Sequence, residues 1–233
     1  TEDFSCDATL LMRYAFDDPA NPGIDSVSGI SGGIAGDVTV TDGYATFNGG
    51  AVRLQPLTVL EGDDITFTWW MKHASGSSSF RIGRNSANDP GRIQFYYGQT
   101  QWSGTVKLPT SDWIYGGIGA STIALNSDSW SFIAWRIRSS DGFWSITVDN
   151  DEVYSGVTSK LYATTYNNEW HHIGTVDTSP FSGLQDDFRI YRSYLSDEQV
   201  AAVRAGGPAS TCAALEDSLL LLIDFEDASD PDK

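Results

Sequence analysis

The chain has 233 residues, among them 23 Gly, 8 Trp, 10 Tyr and 11 Phe; this length suits one β-sandwich domain, and the composition favours short strands and turns over long helices. Its 31 acidic residues outnumber 14 basic ones, for a formal charge of −17, a field that repels phosphate backbones and so excludes nucleic acid as a partner. No apolar run approaches the ~20 residues that span a bilayer. Thr1-Glu-Asp-Phe-Ser-Cys6 carries no signal-peptide pattern, so the chain reads as a mature or excised piece. The only lysines are Lys72, Lys107, Lys160 and Lys233, and the acidity therefore reflects missing bases as much as added acids. It serves solubility in a salty medium or, on the sharper reading, binding of divalent cations.

In chain order, the first apolar stretch is Leu11-Met-Arg-Tyr-Ala-Phe-Asp-Asp18, a strand ending in acids. Gly29-Ile-Ser-Gly-Gly33 matches Gly-x-Ser-x-Gly, but a nucleophile elbow needs a strand before it and a helix after it, and this match lies in a Gly/Ser-rich loop. Asp42-Gly43 and Asp141-Gly142 are hairpin dipeptides, and Asp149-Asn150 is another turn. Ile65, Phe67, Trp69 and Met71 share one strand face, and Thr66, Thr68, Trp70 and Lys72 the other. Residues 98–128, rich in Gly, Ser and Thr with scattered Trp and Tyr, are expected as long loops or irregular strands. Phe132 and Ala134 alternate with Ile133, Trp135 and Ile137, so that strand is apolar on both faces and central.

The most informative stretch runs from Gly183 to Gly206. Strict alternation places Leu184, Asp186, Phe188 and Ile190 on one face and Gln185, Asp187, Arg189 and Tyr191 on the other. Asp186 then shares a face with core residues and needs a partner: an Arg, hydrogen-bond donors or a hard cation. Next comes a helix, with Ser196 as N-cap, Gln199 three residues on, Leu195 and Val200 as staple, and Gly206 with Pro208 as stop.

Gly183-Leu-Gln-Asp-Asp-Phe-Arg-Ile-Tyr-Arg-Ser-Tyr-Leu-Ser-Asp-Glu-Gln-Val200 resembles the closing strand and helix of laminin-G-like, concanavalin-type jelly-roll domains. Three further stretches fall in that family's order: Leu11 to Asp18; Tyr44-Ala-Thr-Phe-Asn-Gly-Gly50 leading to Ile65-Thr-Phe-Thr-Trp-Trp-Met-Lys72; and Asp128-Ser-Trp-Ser-Phe-Ile-Ala-Trp135 running to Ile146-Thr-Val-Asp149. The resemblance covers roughly residues 8–206 and implies an all-β fold, a two-sheet antiparallel jelly-roll sandwich with a short C-terminal helix. It also implies a calcium ion at the sandwich edge, held by Asp186, the Asp17–Asp18 stretch and Gly49 or Gly50, with Asp18, Gly49 and Asp186 as the leading set. Acidic turn residues that cap hydrogen bonds are the bland alternative.

The fold alone does not fix a function, because it carries lectins, adhesion modules and glycan-cleaving enzymes. Arg92, Tyr96, Trp102, Trp113 and Tyr115, with Asn85 and Asn88 nearby, are candidate glycan contacts, since sugar faces stack on rings while polar groups fix orientation. No Glu-x-Asp-x-Glu run of the kind found in glycosidases of this fold class occurs, and His73, His171 and His172 lack zinc spacing, so no catalytic residue is assigned.

The two ends echo each other. Cys6 followed by Leu10-Leu-Met-Arg-Tyr-Ala-Phe-Asp-Asp-Pro-Ala-Asn-Pro22 recurs as Cys212 followed by Leu219-Leu-Leu-Leu-Ile-Asp-Phe-Glu-Asp-Ala-Ser-Asp-Pro231. Residues 1–9 read as linker, 10–208 as the jelly-roll domain, and 209–233 as linker plus the first strand of a following tandem repeat or a strand donated to a neighbour. First and last strands of a closed sandwich lie close, so a Cys6–Cys212 disulfide is expected, in an oxidising, extracellular or cell-surface setting. The expected function is a non-catalytic, calcium-binding adhesion or recognition module for a glycan or an extracellular protein partner. A structural spacer or filament-forming repeat without a sugar ligand is the alternative.

Overall fold

The structure, a computed structural model, describes residues 10–59, 62–75, 78–82, 93–98, 101–107, 113–117, 128–157, 164–166, 171–174 and 180–205. In chain order its strands are β1 (Leu10–Tyr14), β2 (Ile34–Ala35), β3 (Val38–Thr41), β4 (Tyr44–Asn48), β5 (Ala51–Arg53), β6 (Leu57–Val59), β7 (Ile65–Ser75) and β8 (Ser78–Ile82). They continue as β9 (Ile93–Gly98), β10 (Gln101–Lys107), β11 (Trp113–Gly117), β12 (Ser131–Ile137), β13 (Phe143–Val148), β14 (Asp151–Val157), β15 (Thr164–Tyr166), β16 (His172–Gly174) and β17 (Ser182–Tyr191), followed by the helix α1 (Asp197–Ala205).

Two antiparallel sheets make the sandwich. The larger has the order β14-β13-β12-β7-β17-β4-β3, with β1 also on β17, and the smaller has β11-β10-β9-β8-β16-β5-β2. This is the expected jelly-roll class with one short helix. Asp42 and Gly43, with φ of 56° and 79°, make the two-residue turn of the β3–β4 hairpin, and Asp149 and Asn150, at 53° and 77°, make that of β13–β14. Positive φ at both central residues gives such turns the twist that strands require. Gly29 to Gly33 lies in the loop before β2, where Ser31 bridges to Ile24 and no helix follows, so it is no nucleophile elbow.

The core between the sheets is aromatic. Trp69 meets Phe95 edge-on at 4.7 Å, Phe67 lies 5.0 Å from Phe80, and Phe188 packs 5.1 Å from Phe80. All seven residues of β12 are buried, as its two apolar faces require. Ile133, Trp135 and Ile137 join the main core, whereas Phe132 and Ala134 face away from it and pack with Tyr191, Leu195, Val200 and Val203 under α1. The helix start follows the sequence: Ser196 N donates to Gln199 Oε1 (2.8 Å), and Gln199 N donates back to Ser196 Oγ (3.2 Å).

Of the long loops or irregular strands expected over 98–128, the described residues form strands: β10 pairs with both β9 and β11 along most of its length, because a sheet neighbour on each side satisfies a Ser/Gly/Thr-rich backbone. One expectation changes, in β17. Register places Leu184 opposite Lys72, Gln185 opposite Met71 and Asp186 opposite Trp70, then skips to Arg189 opposite Thr68 and Ile190 opposite Phe67. Asp187, at φ 48°, is the bulge residue. The extra residue reverses the phase, so Leu184 and Asp186 share the outer face with Arg189 and Tyr191. Gln185, fully buried between Met71 and Ala45, is the polar residue that enters the core.

The bulge falls where the neighbour of β17 changes. Its first four residues pair with β4 and its last four with β1, leaving Asp186 and Asp187 between them. Asp187 accepts from Arg13 Nε (2.8 Å) and Arg189 Nε (2.9 Å) and bonds Arg189 Nη2 as well, with all three side chains largely buried. Removing one member of such a cluster strands the others without a counter-charge. Asp187→Ala should therefore lower unfolding free energy by about 3–5 kcal/mol, measured by urea denaturation. A loss below about 1 kcal/mol, within the range of exposed ion pairs, would contradict the role given to this cluster.

Candidate functional site

The outer face of the larger sheet is divided. Reading across strands, one row runs Ala134, Thr68, Arg189, Arg13, and the next runs Arg136, Thr66, Tyr191, Leu10. α1 covers part of this half, through the Phe132–Tyr191 cluster. Farther along, the row Lys72, Leu184, Thr46, Thr39 crosses β7, β17, β4 and β3, with no helix above it among the described residues. There a groove of about 580 Å³ opens, lined by Asp37, Thr39, Thr46, Asn48, Lys72 and Leu184 among others. Pockets for small ligands have this size, with an apolar floor and a few polar groups.

The groove has two unlike ends. At the β3 side Asn48 Nδ2 donates to Asp37 Oδ2 (3.0 Å), and Asn48 N donates to Asp37 O (3.0 Å), which ties the amide and carboxylate to the rim. At the β7 side Lys72 Nζ lies 5.5 Å from the centre of the Trp130 ring, and Trp130 meets Tyr44 edge-on at 5.7 Å. Trp130 enters β12 and Tyr44 opens β4, so this half-buried ring pair bridges across β7 and β17. The pair stands beside the Lys72 end of the groove without lining it. Trp70 belongs to the covered half: its ring packs 5.2 Å from Phe132.

Asp186 lies on this same face, 3% exposed, and its Oδ1 accepts the bulge amide of Asp187 (2.7 Å). Burial first, and then the negative charge of Asp187, pushes its pKa up to about 8 from 3.8. Asp187 is compensated by two arginines, whereas Asp186 makes no ion pair among the described residues. Below pH 3.8 the folded and unfolded chains both carry this proton. Between there and about 8 only the folded chain holds it, so stability falls as pH rises, by up to about 1.4 kcal/mol per pH unit. In chelator, Asp186→Asn should thus be more stable than wild type at pH 8 and lose that advantage toward pH 4. Parallel melting curves across that range would contradict a protonated Asp186.

The proposed metal set does not assemble as a trio. Asn48 pairs with Ser182 and Ala45 with Gln185, so Gly49 lies past the far end of β4, about 16 Å along the strands from the level of Asp186. Asp18 is half-buried and committed to its own turn, accepting from Asn21 Nδ2 and Ala20 N (both 2.8 Å), which hold its pKa below the usual range. Asp17 is the acid of that stretch whose charge reaches Asp186, beside the Asp42–Gly43 turn. Among the described residues no group of three His, Cys, Asp or Glu side chains is placed to hold a metal. A cation would rest on Asp186, assisted by Asp17 and main-chain oxygens.

The expected aromatic contacts lie on the smaller sheet. Tyr96 stands opposite Ser103, Tyr115 opposite Thr105 and Trp113 opposite Lys107, so these positions share one pleat phase, out of step with the buried Phe95. Trp102, opposite Tyr97, falls in the phase of Phe95 and is separated from the set. Arg92, Asn85, Asn88, Cys6 and Cys212 lie outside the described residues. His171 and His172 are both buried, on β16 and just before it. Sequence reasoning missed the groove. Its one local signal was Lys72 alternating with Trp70 on the polar phase of β7; the strand order β3-β4-β17-β7 that brings the other residues beside it is a long-range property.

Known proteins place this architecture. Domain 4 of AbnA, a GH43 extracellular arabinanase from Geobacillus stearothermophilus solved in complex with arabinotriose, superposes with a TM-score of 0.62 at 21% identity, covering 82% of this chain and 96% of that one. The binding domain of Paraclostridial Mosquitocidal Protein 1 gives 0.57 at 14%, covering 84% of this chain and 52% of that one. The receptor-binding domain of botulinum neurotoxin C/D mosaic serotype gives 0.58 at 12%, with 86% and 52% covered. These likenesses are of fold. No curated protein matches the chain. Residues 45–201 match the laminin G family described as the concanavalin A-like lectin/glucanases superfamily. That match takes in both sheets, from β4 to the start of α1, and the chain belongs to this superfamily.

Proposed function

We propose that this protein is a non-catalytic, extracellular glycan-binding module. The observation that carries the reading is the groove across β3, β4, β17 and β7. It has an aliphatic floor at Leu184, hydroxyl, amide and carboxylate groups along its length, and Lys72 at one end, beside the Tyr44–Trp130 ring pair. Oligosaccharides present alternating apolar faces and hydroxyls to such surfaces. The fold shared with an arabinanase domain that holds arabinotriose, and with the receptor-binding domains of toxins, supports it. Among the described residues no helix is long and apolar enough to cross a membrane.

A second surface is kept because of one observation: Tyr96, Tyr115 and Trp113 share a pleat phase of the smaller sheet. Binding of the full chain to an immobilised glycan panel tests both. Tyr44→Ala and Trp130→Ala should weaken binding at least tenfold, while Trp113→Ala and Tyr115→Ala leave it unchanged. The reverse pattern moves the site to the smaller sheet, and a panel with no binding leaves the spacer alternative, in which neighbouring repeats are the partners.

Calcium belongs to this proposal on narrower ground than the full ligand set. The buried carboxylate of Asp186, without an ion-pair partner among the described residues and in the field of Asp17 and Asp187, suits a proton or a hard cation. A bound calcium would neutralise that face and stiffen the junction beneath the Tyr44–Trp130 ring pair. At pH 7.5 millimolar calcium should raise Tm of wild type relative to chelator by mass action and leave Asp186→Asn unmoved. Equal Tm with and without calcium would assign Asp186 its proton alone.

A further inference from the structure

We infer that the groove selects an acidic glycan, with a carboxylate or sulfate of the sugar seated on Lys72. This rests on the glycan reading of the same groove and names the ligand class within it. Arg13, Arg136, Arg138, Arg189, Arg192 and Arg204 each pair with a carboxylate of this chain. Among the described residues Lys72, like Arg53 on the smaller sheet, has no carboxylate partner, although acids outnumber bases by more than two to one. Its ammonium is steered over Trp130, at 5.5 Å, a contact that orients the charge without neutralising it.

The surroundings keep that charge available. Asp186, on the same face and one pleat step beyond Leu184, makes no ion pair with Lys72 and binds the bulge amide instead. The acid that lines the groove, Asp37, is tied to Asn48 on the far rim. From β7 to β3 is three strand spacings, roughly 14 Å. An anionic group entering at the Lys72 end therefore meets a positive charge and an aromatic face, while Thr46, Thr39, Asn48 and Asp37 remain for hydroxyls of the following residues. The excess negative charge elsewhere on the molecule then acts as a filter. Acidic polymers are repelled except where one sugar reaches Lys72, so binding should be selective for short or sparsely charged chains.

The test uses the full chain against an immobilised panel of uronate-, sialate- and sulfate-bearing oligosaccharides, each with its methyl-ester or desulfated counterpart. Wild type should bind at least one acidic member about tenfold or more tightly than its neutral counterpart, the worth of one charge-assisted hydrogen bond. Lys72→Gln should erase that difference between each acidic member and its neutral counterpart, at the wild-type Tm. Lys72→Arg should restore most of it, and the preference should shrink as salt rises from 50 to 500 mM. Binding of neutral glycans alone, or acidic binding that Lys72→Gln leaves intact, overturns the inference and leaves the glycan module standing. No binding to any member overturns both.

Discussion

The bulge at Asp187 is the constraint on which the larger sheet depends. β17 lies at the centre of that sheet and must serve two different neighbours on one edge, β4 and then β1. An uninterrupted pleat would send Asp186 into the aromatic core with Phe188. One extra residue in left-handed conformation turns it outward, and the Asp187 carboxylate fixes the distortion by holding Arg13 of β1 and Arg189 of β17 together. Each part sustains the other: the ion cluster requires the bulge, and the bulge amide is satisfied by Asp186.

From that phase change follows the division of the outer face. With Arg189 and Tyr191 outward at one end of β17, α1 has an apolar and hydrogen-bonded bed, where Arg136 Nη1 donates to Leu195 O (3.1 Å) and pairs with Asp197 at the helix start. With Leu184 outward at the other end, the uncovered half keeps an aliphatic floor. A nine-residue helix cannot reach both, and the Tyr44–Trp130 pair marks the border.

How far the sequence foretold this varies with the range of the interaction. The helix start was legible because a capping box is local, and so were the Asp42–Gly43 and Asp149–Asn150 turns, where two residues set the geometry. The doubly buried β12 was legible from its two apolar phases. The bulge was not, because it answers to a change of neighbouring strand that alternation within residues 184–191 cannot report. For β10 and β11 composition left loops and irregular strands both open, their Ser, Gly and Thr being stabilised by pairing rather than by propensity. Trp69 and Trp70 were correctly assigned to opposite faces, but only the helix packing shows that Trp70 is covered rather than offered to a ligand.

The pairing of β1 with β17 has a consequence for how the protein is made. Leu10 lies beside Tyr191 and Tyr14 beside Phe188, so β1 is made long before the strand it pairs with. Until β17 emerges, the centre of the larger sheet is missing, and β4, β7 and β1 have unsatisfied edges facing a gap. Contacts so distant in sequence make closure slow, and the nascent chain spends synthesis with open strands exposed to aggregation or chaperone capture.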